Sequence, residues 1–328
     1  MPHSTSAKPS RSLVLARVCS RNVRLVWFLV LLVGVLGAVT PAQAYVRTRS
    51  EDDKYDLIWP DPAITLTVRT GGALPISVND LLEATMRATG TWNAPANDSS
   101  IDFSVVSSAA AASDPAYDHE NTISVRTSDW NAPLYGSGVL ALTTVWTLGG
   151  AIVDTDTEIN GVSPSAPWAL LPDDPALAMM ENNVDLQAAL THELGHAIGL
   201  AHPCSLGGPP DPPEVDNLGN PVVTCSPTLP ASILNATMFP SATPGEIQER
   251  VLSDDELLAL HDLYPVGRAP MVEGASPPTS GGCALGGAPL ADGSGAAIGL
   301  AAVLVARRRR CRRSSAFSAR ARGSSRAA

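Results

Sequence analysis

Apolar and polar positions alternate with period two in five stretches and recur at helical spacing in three. Ile64, Leu66 and Val68 alternate with Thr65 and Thr67, which predicts a half-buried strand over 63–68. The same reasoning predicts strands over 101–106, 122–126, 139–146 and 152–159. Leu81, Leu82, Thr85, Met86 and Thr89 repeat at three- and four-residue steps behind Ser77, a good N-cap, so 77–92 reads as a helix. A second helix is predicted over about 184–199. A third opens on Ser253 and Glu256, three residues apart as in a capping box, and runs to about 263. Strand, helix, strands, helix, long loop, helix is an α+β order. Residues 107–113 form an alanine-rich loop with no assignable chemistry.

Both ends depart from this pattern. Residues 1–44 hold Lys8, Arg11, Arg17, Arg21 and Arg24 with no acid, then an apolar run from 25 to 39, then Pro41-Ala42-Gln43-Ala44. That is a signal peptide cleaved after Ala44; the alternative is an uncleaved anchor, for which the run is short. Residues 266–295 have the Gly, Pro and Ser composition of a linker and contain Cys283. Residues 296–328 join an apolar segment to Arg307, Arg308, Arg309, Arg310, Arg312 and Arg313, with the arginines where a cytoplasmic end would be. The working unit is therefore 45–265, in an exported chain placed outside the cell or on its surface. The tail gives at most a transient membrane association.

Removing the ends changes the charge. The whole chain is at −10, but residues 45–265 stand near −23. A nucleic-acid partner is excluded as the leading idea, because such binding runs on basic surface. Some 220 residues bury a full core as one monomeric domain. Two of the five cysteines, Cys204 and Cys225, lie in it. Export permits a disulfide between them, worth roughly 3 kcal/mol for a loop of this length. The alternative is Cys204 as a metal ligand.

The chemistry is concentrated in one string. Residues 192–202 read HELGHAIGLAH, that is HExxHxxGxxH, and hold three of the six histidines. On a helix, His192 and His196 project from one face and can reach one zinc ion. Glu193, beside the first ligand, can meet water activated by that ion and act as general base. Gly199 permits the helix to stop and turn, so that His202 supplies a third nitrogen. A fourth position stays open, as in catalytic zinc sites.

The string is the metzincin signature, and its surroundings resemble the matrixin catalytic domain over about residues 55–265. Residues 184–191 resemble the matrixin run into the active-site helix. Residues 236–240, around Met238, resemble a Met-turn. Residues 252–257 and 263–265 resemble the last matrixin helix, and 149–160 the strand preceding the active-site region. The tail is similar to a myxobacterial-type C-terminal sorting tail, with Cys283 the point of processing; a plain weak membrane helix or a disordered basic tail is the alternative.

The resemblance implies a metzincin-like zincin fold: a twisted five-stranded mixed sheet with two backing helices, an active-site helix, a Met-turn and a C-terminal helix. It implies a zinc endopeptidase acting on protein or peptide substrate. The strand over 139–146 would be the rim where a peptide adds as a further strand, unless it is simply buried. Residues 239–241 would set side-chain preference. Asp154, Asp156 and Glu158, alternating on one strand face, can take Ca²⁺ or be a solvated carboxylate face. His119 and His261 read as surface or packing histidines. Two departures stand out. His202 and Met238 are 36 positions apart, so an insertion borders the cleft, and no cysteine pro-segment motif precedes residue 184. The rival function is a catalytically silent binding module on the same fold.

Overall fold

A computed structural model describes residues 45–49, 56–128, 130, 138–162, 167–207 and 214–268, with the backbone of 298–299 and 304–305. The signal-peptide segment and nearly all of the linker and tail, Cys283 included, lie outside the described residues.

The core is a mixed sheet. Its strands are β2 (Ala63–Arg69), β3 (Asp102–Ser108), β4 (Thr122–Arg126), β5 (Ala141–Leu148) and β6 (Ala151–Asn160), in spatial order β5-β6-β4-β2-β3. β2 is parallel to β3 and β4, and β4 to β6; only β5 runs antiparallel to its neighbour. The β5–β6 hairpin closes over Gly149 and Gly150, both at positive φ, which suits a two-residue turn. The first short strand, β1 (Val46–Arg47), pairs antiparallel with Leu200–Ala201. Two tail segments also pair: Ile298–Gly299 with Ser241–Ala242, and Leu304–Val305 in parallel with Thr144–Val145 on β5.

Helix α1 (Val78–Trp92) begins where Ser77 accepts a hydrogen bond from the Asp80 amide at 3.0 Å. Its buried residues Leu81, Ala84, Thr85, Ala88, Thr89 and Trp92 form one stripe, the apolar face that packs a helix onto a core. Trp92 donates its indole N–H to the Thr191 carbonyl at 2.9 Å, tying α1 to helix α2 (Leu186–Ala197). Every residue of α2 is buried. Helix α3 (Asp254–Leu263) carries the capping box, with Ser253 and Glu256 each bonded to the other's backbone region. Among the described residues no helix is long and apolar enough to cross a membrane.

The predicted strands and helices occur with ends displaced by at most two residues. Val184–Asp185, expected inside the second helix, instead pairs in parallel with Trp168–Ala169. Asp185 is the N-cap: its side chain accepts from the Ala188 amide at 2.8 Å, and an N-cap residue is extended, not helical.

Candidate metal centre

Helix α2 is fixed at both ends by groups remote in sequence. At its start, the Arg250 guanidinium clamps Asp185 through two contacts of 2.6 and 2.7 Å, and also reaches Asp173 and the Leu171 carbonyl. At its end, the last carbonyls have no partner within the helix. Trp59 donates its indole N–H to Ala197 O at 2.8 Å, and the Tyr264 hydroxyl donates to Ile198 O at 2.9 Å. Gly199 then turns the chain at φ 96°. A Cβ there would lie 2.1 Å from the Leu57 carbonyl oxygen, so glycine is needed for space as well as for conformation.

The turn brings three imidazoles together. The Nε2 atoms of His192, His196 and His202 lie 3.1 Å from one another in all three pairs. His192 donates Nδ1–H to the Thr237 carbonyl, and His196 donates Nδ1–H to the Leu200 carbonyl, each at 2.8 Å. Those bonds fix the tautomer, so both rings turn a bare Nε2 lone pair inward. Burial lowers His192 to about 4, so it stays neutral; burial and the other two imidazoles also hold His202 well below its ordinary value. Lone pairs crowded this closely repel unless a cation lies between them. Nitrogens at this spacing can all reach one ion at a zinc–nitrogen distance of about 2.0–2.1 Å. The residues present therefore fit a three-imidazole metal. Among the described residues this is the group of His, Cys, Asp or Glu side chains close enough to share one ion.

Glu193 is fully buried beside these ligands. Burial pushes its carboxyl up to about 8, opposed by the Thr143 hydroxyl, which donates to Oε2 at 2.7 Å. Oε1 has no hydrogen-bond partner among the described residues. Met238 lies below the site. Its sulfur stands where a Cβ on Gly195 would come within 2.2 Å, and the turn that holds it closes with Phe239 N–H on Ala236 O. Glu256 accepts from the Thr237 and Met238 amides at 3.2 and 3.1 Å. One carboxylate thus caps α3 and orients the turn whose carbonyl orients His192.

Cys204 and Cys225 are disulfide-bonded, so Cys204 is not a metal ligand. The insertion they open was expected along the cleft. Within it, Asp216 bridges Val46 on the N-terminal strand, and the Asn217 amide donates to Tyr45 O at 3.0 Å.

Asp154, Asp156 and Glu158, expected to take Ca²⁺ or to be a solvated carboxylate face, are all buried, so the face is not solvated. The three share a strand face, but each is engaged separately. Asp154 accepts from the Asp118 and His119 amides, Asp156 from Ala116, Thr122 N–H and the Thr122 hydroxyl, and Glu158 pairs with Arg126. The amides of Ala116, Asp118 and His119 face Asp154 and Asp156 from the preceding loop. His261 contacts the Asn97 carbonyl and His119 stacks on Tyr117, both away from the imidazole cluster.

No protein-family model matches this chain, and no curated protein matches it. Among solved structures, Myroilysin is similar with a TM-score of 0.33 and 13% identity, over 64% of this chain and 83% of that one. At that level the likeness carries no argument, and the class rests on the site: a three-histidine centre, His192 and His196 buried and His202 partly exposed, with Glu193 next to the first ligand in an α+β frame.

Proposed function

We propose that this chain is a zinc-dependent endopeptidase of the metzincin type, matrixin-like, with Glu193 as general base. The observation that carries the reading is the triangle of three Nε2 atoms, with the residue after His192 a buried glutamate whose Oε1 has no partner among the described residues. Zinc, when bound, supplies a positive centre that acidifies water and polarises a carbonyl. His192, His196 and His202 would hold it. Glu193 takes the proton from attacking water at Oε1 and passes it to the departing amine. The apolar packing around α2 excludes bulk water and strengthens each of these interactions. Met238 moves no proton; it packs beneath the imidazoles.

The same reading takes the chain to be exported, extracellular or surface-tethered, with 1–44 removed and the Arg-rich tail processed. The charge pattern of the ends and the Cys204–Cys225 disulfide support it. β5, whose outer edge here pairs with the tail segment Leu304–Val305, would receive an extended protein or peptide substrate once that tail is processed.

The test is digestion of casein by the purified chain, with bound metal measured by mass spectrometry. Expected are about one zinc per chain, cleavage abolished by a zinc chelator and restored by zinc, and a loss of at least about 10²-fold in Glu193→Ala with metal retained. His202→Ala should lose metal as well as activity. Cleavage that survives chelation, or persists in Glu193→Ala, removes the assignment.

A further inference from the structure

We propose that Thr143, itself held by Thr157, is a positioning residue that aims the Glu193 carboxylate. The proposal rests on the reading of Glu193 as the base. Thr143 is the third residue of β5 and is fully buried. It faces Thr157 on β6 in register, and the two hydroxyl oxygens are 3.0 Å apart. On its other side the Thr143 hydroxyl stands 2.7 Å from Glu193 Oε2 and 3.3 Å from the Glu193 carbonyl.

A hydroxyl has one hydrogen to give. The carboxyl oxygen at 2.7 Å is nearer than the carbonyl at 3.3 Å, so Thr143 donates to Oε2. Its lone pair is then left for the Thr157 hydroxyl, which donates to it. The order Thr157 to Thr143 to Glu193 is fixed by what the last member can accept. Two oxygens on one carboxyl group are thereby given different tasks. Oε2 is tied to the sheet, and Oε1, buried without a partner among the described residues, is left for the proton.

A glutamate side chain has three rotatable bonds, and its backbone lies on α2, not on the sheet. Without the hydroxyl, nothing described on β5 fixes which way the carboxylate faces. The sheet rim that would receive substrate and the base that would act on it are therefore joined by one hydrogen bond, so their separation is set. An error of about 1 Å in such a separation costs on the order of 10²-fold in rate.

The experiment uses the full-length zinc-loaded protein and a fluorogenic peptide, with zinc content and melting temperature measured alongside. Thr143→Val keeps the shape and removes the hydroxyl; Thr143→Ser keeps the hydroxyl. Thr143→Val should lose about 10- to 100-fold in kcat with KM within about twofold, and Thr143→Ser should recover most of that loss. In a Glu193→Gln background, Thr143→Val should cause no further loss. If Thr143→Val loses zinc or melts early, Thr157→Val carries the test: kcat down about two- to fivefold at unchanged KM supports the relay, and unchanged kcat overturns it. A Thr143→Val enzyme within twofold of wild type, or a Thr143→Ser enzyme no better than Thr143→Val, also overturns it. If Glu193→Gln alone stays active, it is the assignment of the base that fails.

Discussion

Gly199→Ala tests whether the turn after α2 is held by conformation alone or also by crowding. At φ 96° any L side chain is strained, at a cost of about 1–2 kcal/mol. The added methyl would also stand 2.1 Å from the Leu57 carbonyl oxygen and 3.5 Å from Ile152 Cδ1. An ordinary carbon–oxygen contact requires the Leu57 backbone to retreat by roughly 1 Å. Leu57 is poorly placed to do so, because its amide bonds Thr48 O at 3.0 Å and its neighbour Ile58 is bridged to the β5–β6 hairpin. Overpacking of this kind adds about 1–3 kcal/mol, for about 2–5 kcal/mol in all. Gly72 is the control: its φ is 88°, yet nothing lies within 4 Å of a Cβ built there. Gly72→Ala should therefore cost only the conformational part. Urea unfolding of the two variants, with zinc and with chelator, separates the contributions. Gly199→Ala should also bind zinc more weakly, since His202 follows three residues later. Equal destabilisation by the two substitutions would refute the argument from crowding.

Three further outcomes are expected. Glu249 is buried, and burial pushes its carboxyl from 4.5 up to about 7. The fold holds a proton there that the unfolded chain releases, so this group's contribution declines as pH rises from about 4.5 to about 7. Glu249→Gln should then gain up to about 2–3 kcal/mol at pH 8 and nothing at pH 4; a difference independent of pH would count against it. Arg250→Met strands the buried Asp185 carboxylate and should cost about 3–5 kcal/mol in chemical denaturation, partly recovered by adding Asp185→Asn; a loss under 1 kcal/mol would remove the clamp from the account. Replacing Cys204 and Cys225 together by serine should lower stability by roughly 3 kcal/mol and loosen zinc; unchanged metal affinity would dissociate the disulfide from the site.

What the sequence discloses is local. The α1 stripe follows from residues three and four apart, and the imidazole cluster from an eleven-residue string, because a helix and its turn are short-range objects. Thr143 is invisible there. Alternation along a strand gives two faces but does not say which one meets a helix fifty residues away. Arg250 and Asp185 are 65 positions apart, and no periodicity links them. Glu256 is legible as half of a capping box, yet its grip on the Thr237 and Met238 amides depends on where α3 docks. Asp154, Asp156 and Glu158 show the converse: their shared face is readable, but the Ala116, Asp118 and His119 amides and Arg126 that meet it carry no signal of their own. The insertion after His202 is plain as a length, while its attachment to the N-terminal strand emerges only from the packing.

The contribution of α3 to the centre has a consequence for the order of assembly. Glu256 holds the turn that orients His192, and the Tyr264 hydroxyl satisfies the last carbonyl at the end of α2. A growing polypeptide has all three imidazoles well before it has either of these supports. It can begin to gather an ion, but it cannot fix the rings until its final helical turn has docked. Under the proposed function, competence to cut would thereby be deferred to the completion of the domain, sparing the chain from its own activity while it is still being made.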